Sequence, residues 1–258
     1  MEIWRQATNL VTATAFDSKQ FSGAYPSGME KYWWNLARNK IISSIFNKYL
    51  SRNLMILEVG CGSGIVTDYL KEQKWNILGV DPGTPTKGSE QRHYITYAKE
   101  ANDLPENTRK DIKVLALFDV LEHIPDPENF LSQLIQEFSN STTIIVTVPA
   151  RHELWTNFDD YYGHFRRYSL SELETQLTKT GLKKIFSGYF FHFLYLGIFL
   201  SKISKKQRKV VFKPPYNYLK KLKHLLLAEI FNWEFLLFPK SVPGSSIIAV
   251  YSIKRLCA

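Results

Sequence analysis

One stretch of the chain leaves little choice of fold. The apolar run Leu54-Met55-Ile56-Leu57 ends in Glu58-Val59-Gly60-Cys61-Gly62-Ser63-Gly64, and helical character follows from Gly64 to Lys74. A buried strand that breaks into three alternate glycines and then a helix describes the first turn of a βαβ unit. Glycines let the backbone bend tightly and approach a ligand closely. The helix N-terminus presents N–H groups that have no partner within the helix. A second strand, Asn76 to Val80, runs into Asp81, which lies 21 residues after Gly60, the length one such unit requires.

The alternation continues to about residue 190. His93 to Tyr97, Ile112 to Phe118 and Thr142 to Val148 read as strands, and Leu182 to Ser187 begins another. Pro127 to Phe138 reads as a helix with Asp126 as N-cap and proline at its first position. Ser169 to Thr180 carries the capping box Ser169-x-x-Glu172 and stops at Gly181. Ser246 to Ile253 is a last apolar strand. This order predicts an α/β fold: a Rossmann-like, doubly wound, mostly parallel sheet with helices on both faces and ligands at the carboxyl ends of its strands. Residues 1–50 are expected to form a helical N-terminal cover and 51–258 the main domain, with 190–244 a basic and apolar helical insertion ahead of the final strand.

The net charge of +9 is local. Between Ser201 and His224 there are nine lysines and arginines and no acid, and the rest of the chain sums to zero. A globally basic nucleic-acid binder is therefore disfavoured. Before this segment lies the apolar run Tyr189 to Leu200, shorter than the roughly 20 residues a membrane span needs and interrupted by His192. After it, Leu219, Leu222, Leu226, Ile230, Trp233 and Leu237 recur at helical spacing. A solvated loop between two core-packed helices, an anionic membrane surface and a polyanion all remain open as its use. The two cysteines, Cys61 and Cys257, rule out a disulfide-stapled module. The absence of an apolar N-terminal run gives the expectation of a cytoplasmic protein, with peripheral membrane association as the alternative.

The glycine loop is selective about its ligand. A dinucleotide fingerprint, G-x-G-x-x-G, needs its third glycine where this chain has Ile65. Here that glycine comes one residue earlier, and Glu58 stands two residues before the first. A carboxylate there disfavours a pyrophosphate and suits an ammonium group. S-Adenosylmethionine has an α-amino group, a carboxylate for the helix N-terminus and no phosphate. Asp81 at the end of the second strand can accept its ribose hydroxyls.

Ile56 to Gly64 resembles motif I of the class I S-adenosylmethionine-dependent methyltransferases. Phe118-Asp119-Val120-Leu121-Glu122-His123-Ile124-Pro125-Asp126-Pro127 resembles the segment after the fourth strand in the type 11/23 group. The resemblance covers roughly residues 30–190. It implies a seven-stranded sheet whose last strand is antiparallel, a part for Ser246–Ile253, and a cofactor set of Glu58, Gly60, Cys61, Gly62, Gly64, Asp81, Glu100, Ala101, Phe118 and Asp119. Within that set Glu100 takes the adenine-reading place by register from Leu104-Pro105, with Asp103 as competitor. Tyr32-Trp33-Trp34-Asn35-Leu36-Ala37-Arg38 resembles an aromatic-plus-arginine helix that closes over the cofactor; aromatic core packing accounts for it equally well.

Methyl transfer needs an aligned nucleophile and, for a hydroxyl acceptor, a base. The loop Pro149 to Tyr168 is long, polar and aromatic, as functional connections tend to be. It resembles a P-A-x-x-x-L-W-x-x-x-D-x-x-x-G-H-x-R-R-Y signature within the type 11 group. His164 and Asp159 are the leading catalytic candidates, with His123 next; hydrogen-bonded structural support is the competing role for each histidine. Trp155, Arg166, Arg167 and Tyr168 are candidate substrate contacts, although the two arginines can equally pair with Asp160 and Glu172. No Cys/His cluster has metal-ligand spacing, so no metal is expected. Lys213-Pro214-Pro215-Tyr216 is a turn and lacks the position and first residue of a nucleic-acid amino-methylation motif.

The expected activity is methyl transfer from S-adenosylmethionine, by in-line displacement, to a small or lipid-linked acceptor, with oxygen as the target atom. Leu121 to Pro127 also resembles ubiquinone-pathway O-methyltransferases, from which the chain after residue 150 departs. A saccharide or other cell-envelope acceptor is equally open. Two alternatives stand beside it: an RNA or protein methyltransferase that grips a polyanion with residues 201–224, and a non-catalytic relative that binds cofactor or a partner.

Overall fold

In the computed structural model, the structure describes residues 21, 23–83, 92–204, 210 and 213–253. Seven strands form one sheet: β1 Met55–Val59, β2 Ile77–Asp81, β3 Ile95–Tyr97, β4 Ile112–Phe118, β5 Thr143–Pro149, β6 Leu182–Phe190 and β7 Ser246–Ile253. Their order is β3-β2-β1-β4-β5-β7-β6. The first five pair in parallel, and β7 lies antiparallel between β5 and β6. The expected mostly parallel, seven-stranded Rossmann-like sheet is therefore present. Strand order reverses between β1 and β4, so a crevice opens at their carboxyl ends.

Helices α1 Trp33–Tyr49, α2 Ile65–Glu72, α3 Glu106–Asp111, α4 Pro127–Glu137, α5 Asn157–Tyr161, α6 Leu170–Lys179, α7 His192–Ile203 and α8 Tyr218–Leu237 connect or cover the strands. The buried residues form two clusters. One holds Leu57, Leu115 and Val146 with Leu131 of α4 and Leu173 of α6. The other holds Ile56, Val114 and Ile145 with Ile41 of α1, Leu70 of α2 and Phe231 of α8. Alternate residues of β1, β4 and β5 thus point to opposite faces, each covered by helices, as the strand period of two demands.

Local signals set the boundaries. Asp126 accepts from Asn129 N–H at the start of α4, and Ser169 and Glu172 close the expected box at the start of α6. The short α3 and α5 are polar and were not anticipated, since neither carries an apolar period. β6 runs three residues further than Ser187 because β7 pairs it out to Phe190. Lys205, Lys206, Arg208 and Lys209 of the basic segment, Cys257 and most of residues 1–25 fall outside the described residues.

Candidate active site

Two cavities meet at the glycine loop. The larger, about 260 Å³, reaches from Gly60 and Asp119 past Glu122 and His164 to Leu194 and Ile198 of α7. The smaller, about 100 Å³, is bordered by Gly62, Asp81, Glu100, Val120 and Phe130. Tyr25, Gly60, Asp119 and His123 border both.

The loop has no room for side chains. Gly60 has φ +72°, and a Cβ there would lie 2.8 Å from Val120 Cγ2. Gly62 has φ +53°, and a Cβ there would lie 2.2 Å from the Tyr25 hydroxyl oxygen. Bare backbone therefore lines the crevice where a ligand would approach. Asp81 fixes this loop from the end of β2: its Oδ2 accepts Gly62 N–H at 2.6 Å and its Oδ1 accepts Gly83 N–H at 2.7 Å. Each oxygen keeps a second lone pair for a ligand hydroxyl. Burial raises the Asp81 pKa against those two hydrogen bonds.

Glu58 is buried at the end of β1 and accepts the Thr67 hydroxyl. Desolvation pushes its pKa up to about 8, and a cationic group bound beside it would pull that value down and favour the carboxylate. Asp119 follows β4 with φ +57°, an unfavourable conformation for a residue with a side chain. It is held there by Arg38 of α1, with Nη2 to Oδ2 at 2.6 Å, and by the Thr147 hydroxyl at 3.0 Å. Arg38 lies over the rings of Trp34 and Phe118. Trp33, by contrast, stacks on Phe231 of α8, with ring centroids 4.8 Å apart. The aromatic helix thus both packs and borders the cavity.

The bare glycine backbone and the acidic side chains of Glu58, Asp81 and Asp119 around it are a donor and acceptor set that fits a nucleoside carrying an amino-acid group, such as S-adenosylmethionine. Neither Ala101 nor Gly64 borders either of these two cavities: Ala101 begins the 3-10 turn after Glu100, and Gly64 serves as the left-handed N-cap of α2. Asp103 accepts the backbone N–H of Glu100, and of these two acids it is Glu100 that borders the smaller cavity.

The second half of the site gathers around Asp159. This carboxylate has no exposed surface. It accepts Nε and Nη2 of Arg167, Nδ1 of His164 and the backbone N–H of Thr156. Burial alone would raise its pKa, but His164 and Arg167 overcome that and hold it at about 2. His164 borders the larger cavity and packs edge-to-face on His123, centroids 4.7 Å apart. Burial, and His164 as a neighbour, push the His123 pKa down to about 3, so that ring is neutral at physiological pH.

Trp155, Arg166 and Tyr168 border neither cavity. Trp155 Nε1 donates to Asp160, Arg166 donates to the Pro125 carbonyl, and the buried Tyr168 hydroxyl reaches the Leu121 carbonyl. The expected arginine partners also change: Arg167 takes Asp159, not Asp160, and Glu172 caps α6 and meets His152.

Glu122 was missed. It is buried on the cavity wall with its Oε2 unpartnered, and burial beside Asp119 raises its pKa well above the usual range. Its place next to His123 was visible in sequence; its burial was not. Glu122, His123 and His164 also bring one ligand atom each within 4.8 Å of one another, an arrangement that can hold a metal ion. No residue spacing signalled it.

The chain matches the methyltransferase-domain family over residues 34–185 and belongs to that family. It carries the methyltransferase domain that defines that family. It is 30% identical over 117 residues to a ubiquinone biosynthesis O-methyltransferase of Rickettsia akari, a match covering 42% of this chain and 45% of the relative. The chain thus spans about half the length of that curated relative. Among solved structures, the plantazolicin methyltransferase BpumL in complex with S-adenosylhomocysteine aligns over 99% of this chain and 100% of its own, with a TM-score of 0.54 and 14% identity. A SAM-dependent methyltransferase from Archaeoglobus fulgidus aligns over 83% and 94%, with a TM-score of 0.50 and 16% identity. At these identities the structural likeness is one of fold.

Proposed function

We propose that this methyltransferase acts on the hydroxyl oxygen of a small, largely apolar acceptor bound in the larger cavity. The observation that carries this is His164, held at Nδ1 by the buried Asp159 and bordering the same cavity as Gly60 and Asp119. The cofactor supplies an activated methyl group when bound. Glu58, Gly60, Cys61, Gly62, Asp81, Glu100, Phe118 and Asp119 are assigned to hold it, with Arg38 fixing Asp119.

Asp159 stays ionised and faces Nδ1 of His164, which orients the ring and leaves Nε2 as the base. Arg167 serves this pair by locking Asp159 and also borders the larger cavity, so it is assigned a positioning role and kept as a candidate acceptor contact. His123, neutral and beside His164, completes the polar corner. Glu122, kept protonated by burial, can donate a hydrogen bond to the acceptor oxygen. Trp34, Phe158, Leu194 and Ile198 give the cavity an apolar wall that excludes water from the reacting atoms.

The name of the Rickettsia akari relative makes hydroxylated quinone precursors and polyprenyl-type acceptors the first class to test, followed by lipid-linked saccharides. The test is S-adenosylhomocysteine release by the purified chain across these pools and an RNA pool, with and without His164→Ala. Turnover on a hydroxylated acceptor that requires His164 supports the proposal. Turnover confined to RNA, or indifferent to His164, overturns it.

A further inference from the structure

The apolar stripe of α8 does not pack into the protein. Ala228, Phe231, Glu234 and Phe235 bury one face of this helix, with Phe231 against Trp33 of α1. The opposite face carries Leu219, Leu222, Leu226, Ile230, Trp233 and Leu237, which are 41% to 74% exposed. At 1.5 Å per residue that stripe extends for roughly 27 Å. A two-faced apolar helix on a water-soluble surface calls for a cover.

The surrounding charge says what kind. Lys220, Lys221 and Lys223 stand on the same helix, and residues 201–224 contain no acid. The two acids of α8 are already engaged: Glu229 pairs with Lys40, and Glu234 accepts the N–H of Phe193. A second copy seated on the stripe would bring no free carboxylate from α8 to meet those lysines. A bilayer surface containing anionic lipid satisfies both features, since it accepts apolar side chains and attracts lysines at its headgroups. Trp233 and the exposed Tyr216 and Tyr218 are residue types that sit well at such a boundary. Among the described residues no helix is long and apolar enough to cross the membrane, so contact would be from one side.

We infer that the outer face of α8 docks the protein on an anionic membrane surface. Helix α7 meets α8 at Phe193, whose N–H donates to Glu234 and whose ring faces Phe231. Its Leu194 and Ile198 border the larger cavity, while its Leu196, Leu200 and Ile203 are exposed. The docking surface stands whether or not the acceptor proposed above is the right one.

Flotation of the full chain with vesicles tests it. Binding to phosphatidylcholine–phosphatidylglycerol vesicles should exceed binding to phosphatidylcholine alone by about tenfold or more. Leu226→Asp/Trp233→Asp should abolish flotation, and Lys220→Glu/Lys221→Glu/Lys223→Glu should remove the preference for anionic lipid. Retained affinity for S-adenosylhomocysteine identifies variants that remain folded. Three results would each overturn the inference: no flotation of the wild type, equal binding to both vesicles, or flotation unchanged in the folded Leu226→Asp/Trp233→Asp variant. Sedimentation without lipid supplies a fourth: a dimer that this variant dissociates means that a second copy covers the stripe.

Discussion

Asp159 grips Arg167 through two hydrogen bonds, Oδ1 to Nε at 2.8 Å and Oδ2 to Nη2 at 3.0 Å, with both side chains buried. The same Oδ1 faces Nδ1 of His164 at 2.9 Å. The paired charges therefore stabilise the loop after β5 and aim a histidine at the cavity. Removing one partner of a buried pair leaves the other charge without compensation. Arg167→Ala should lower stability by about 3–5 kcal/mol, measurable by urea unfolding. A loss below about 1 kcal/mol would show that the pair contributes no more than a surface bridge.

The pH dependence of that pair has a definite sign. Asp159 is held at about 2 against an ordinary 3.8, so its stabilisation is complete above the unfolded value. It is lost as pH falls from about 4 toward 2, and amounts to roughly 2 kcal/mol. Asp159→Asn should be less stable than wild type at neutral pH, and the gap should narrow through that window. A gap that stays constant with pH would contradict it.

Glu122 has the opposite sign. Its folded pKa is raised, so keeping it neutral costs nothing below the unfolded value near 4.5. The cost grows as pH rises above that value, until the folded pKa is passed. Glu122→Gln, which keeps the shape and removes the titration, should raise the melting temperature at pH 8 and leave it nearly unchanged at pH 4. Equal effects at both pH values would refute a buried neutral carboxyl.

Asp81→Ala removes two acceptors from the Gly62–Gly83 turn and from the ligand side of the smaller cavity. Affinity for S-adenosylhomocysteine should fall by about 10- to 100-fold, with the far-ultraviolet spectrum of the fold retained. Calorimetry giving wild-type affinity would remove Asp81 from the cofactor site.

His164→Ala should reduce turnover by about 10²- to 10⁴-fold while cofactor affinity changes little, because its ring borders the larger cavity and not the smaller one. Asp159→Asn should lower kcat and disturb the alkaline rise of the pH–rate profile. A profile that does not respond to Asp159→Asn would leave the carboxylate a purely structural role.

The sequence by itself determined what is local. The bend at Gly60 to Gly64, the carboxylates of Glu58 and Asp81 at strand ends, and the caps of α4 and α6 depend on neighbours a few residues away. Backbone sterics and hydrogen bonding settle such features without help from the rest of the chain. The count of seven strands and the antiparallel last strand followed from the family resemblance carried by those motifs, while the strand order came from the structure.

Tertiary structure alone decided the remainder, because it depends on contacts between segments far apart in the chain. Arg38 meets Asp119 from another element, and Glu122 is buried in the folded chain, where Phe165 of the loop after β5 donates to its carbonyl. That loop supplied ten matching positions, yet their types gave no means of separating His164 on the cavity wall from Trp155 and Arg166 turned away. The stripe of α8 shows the same limit. A helical period of leucines fixes that the residues share a face, but not whether that face meets the core or the solvent. Here α1 has already taken the other side.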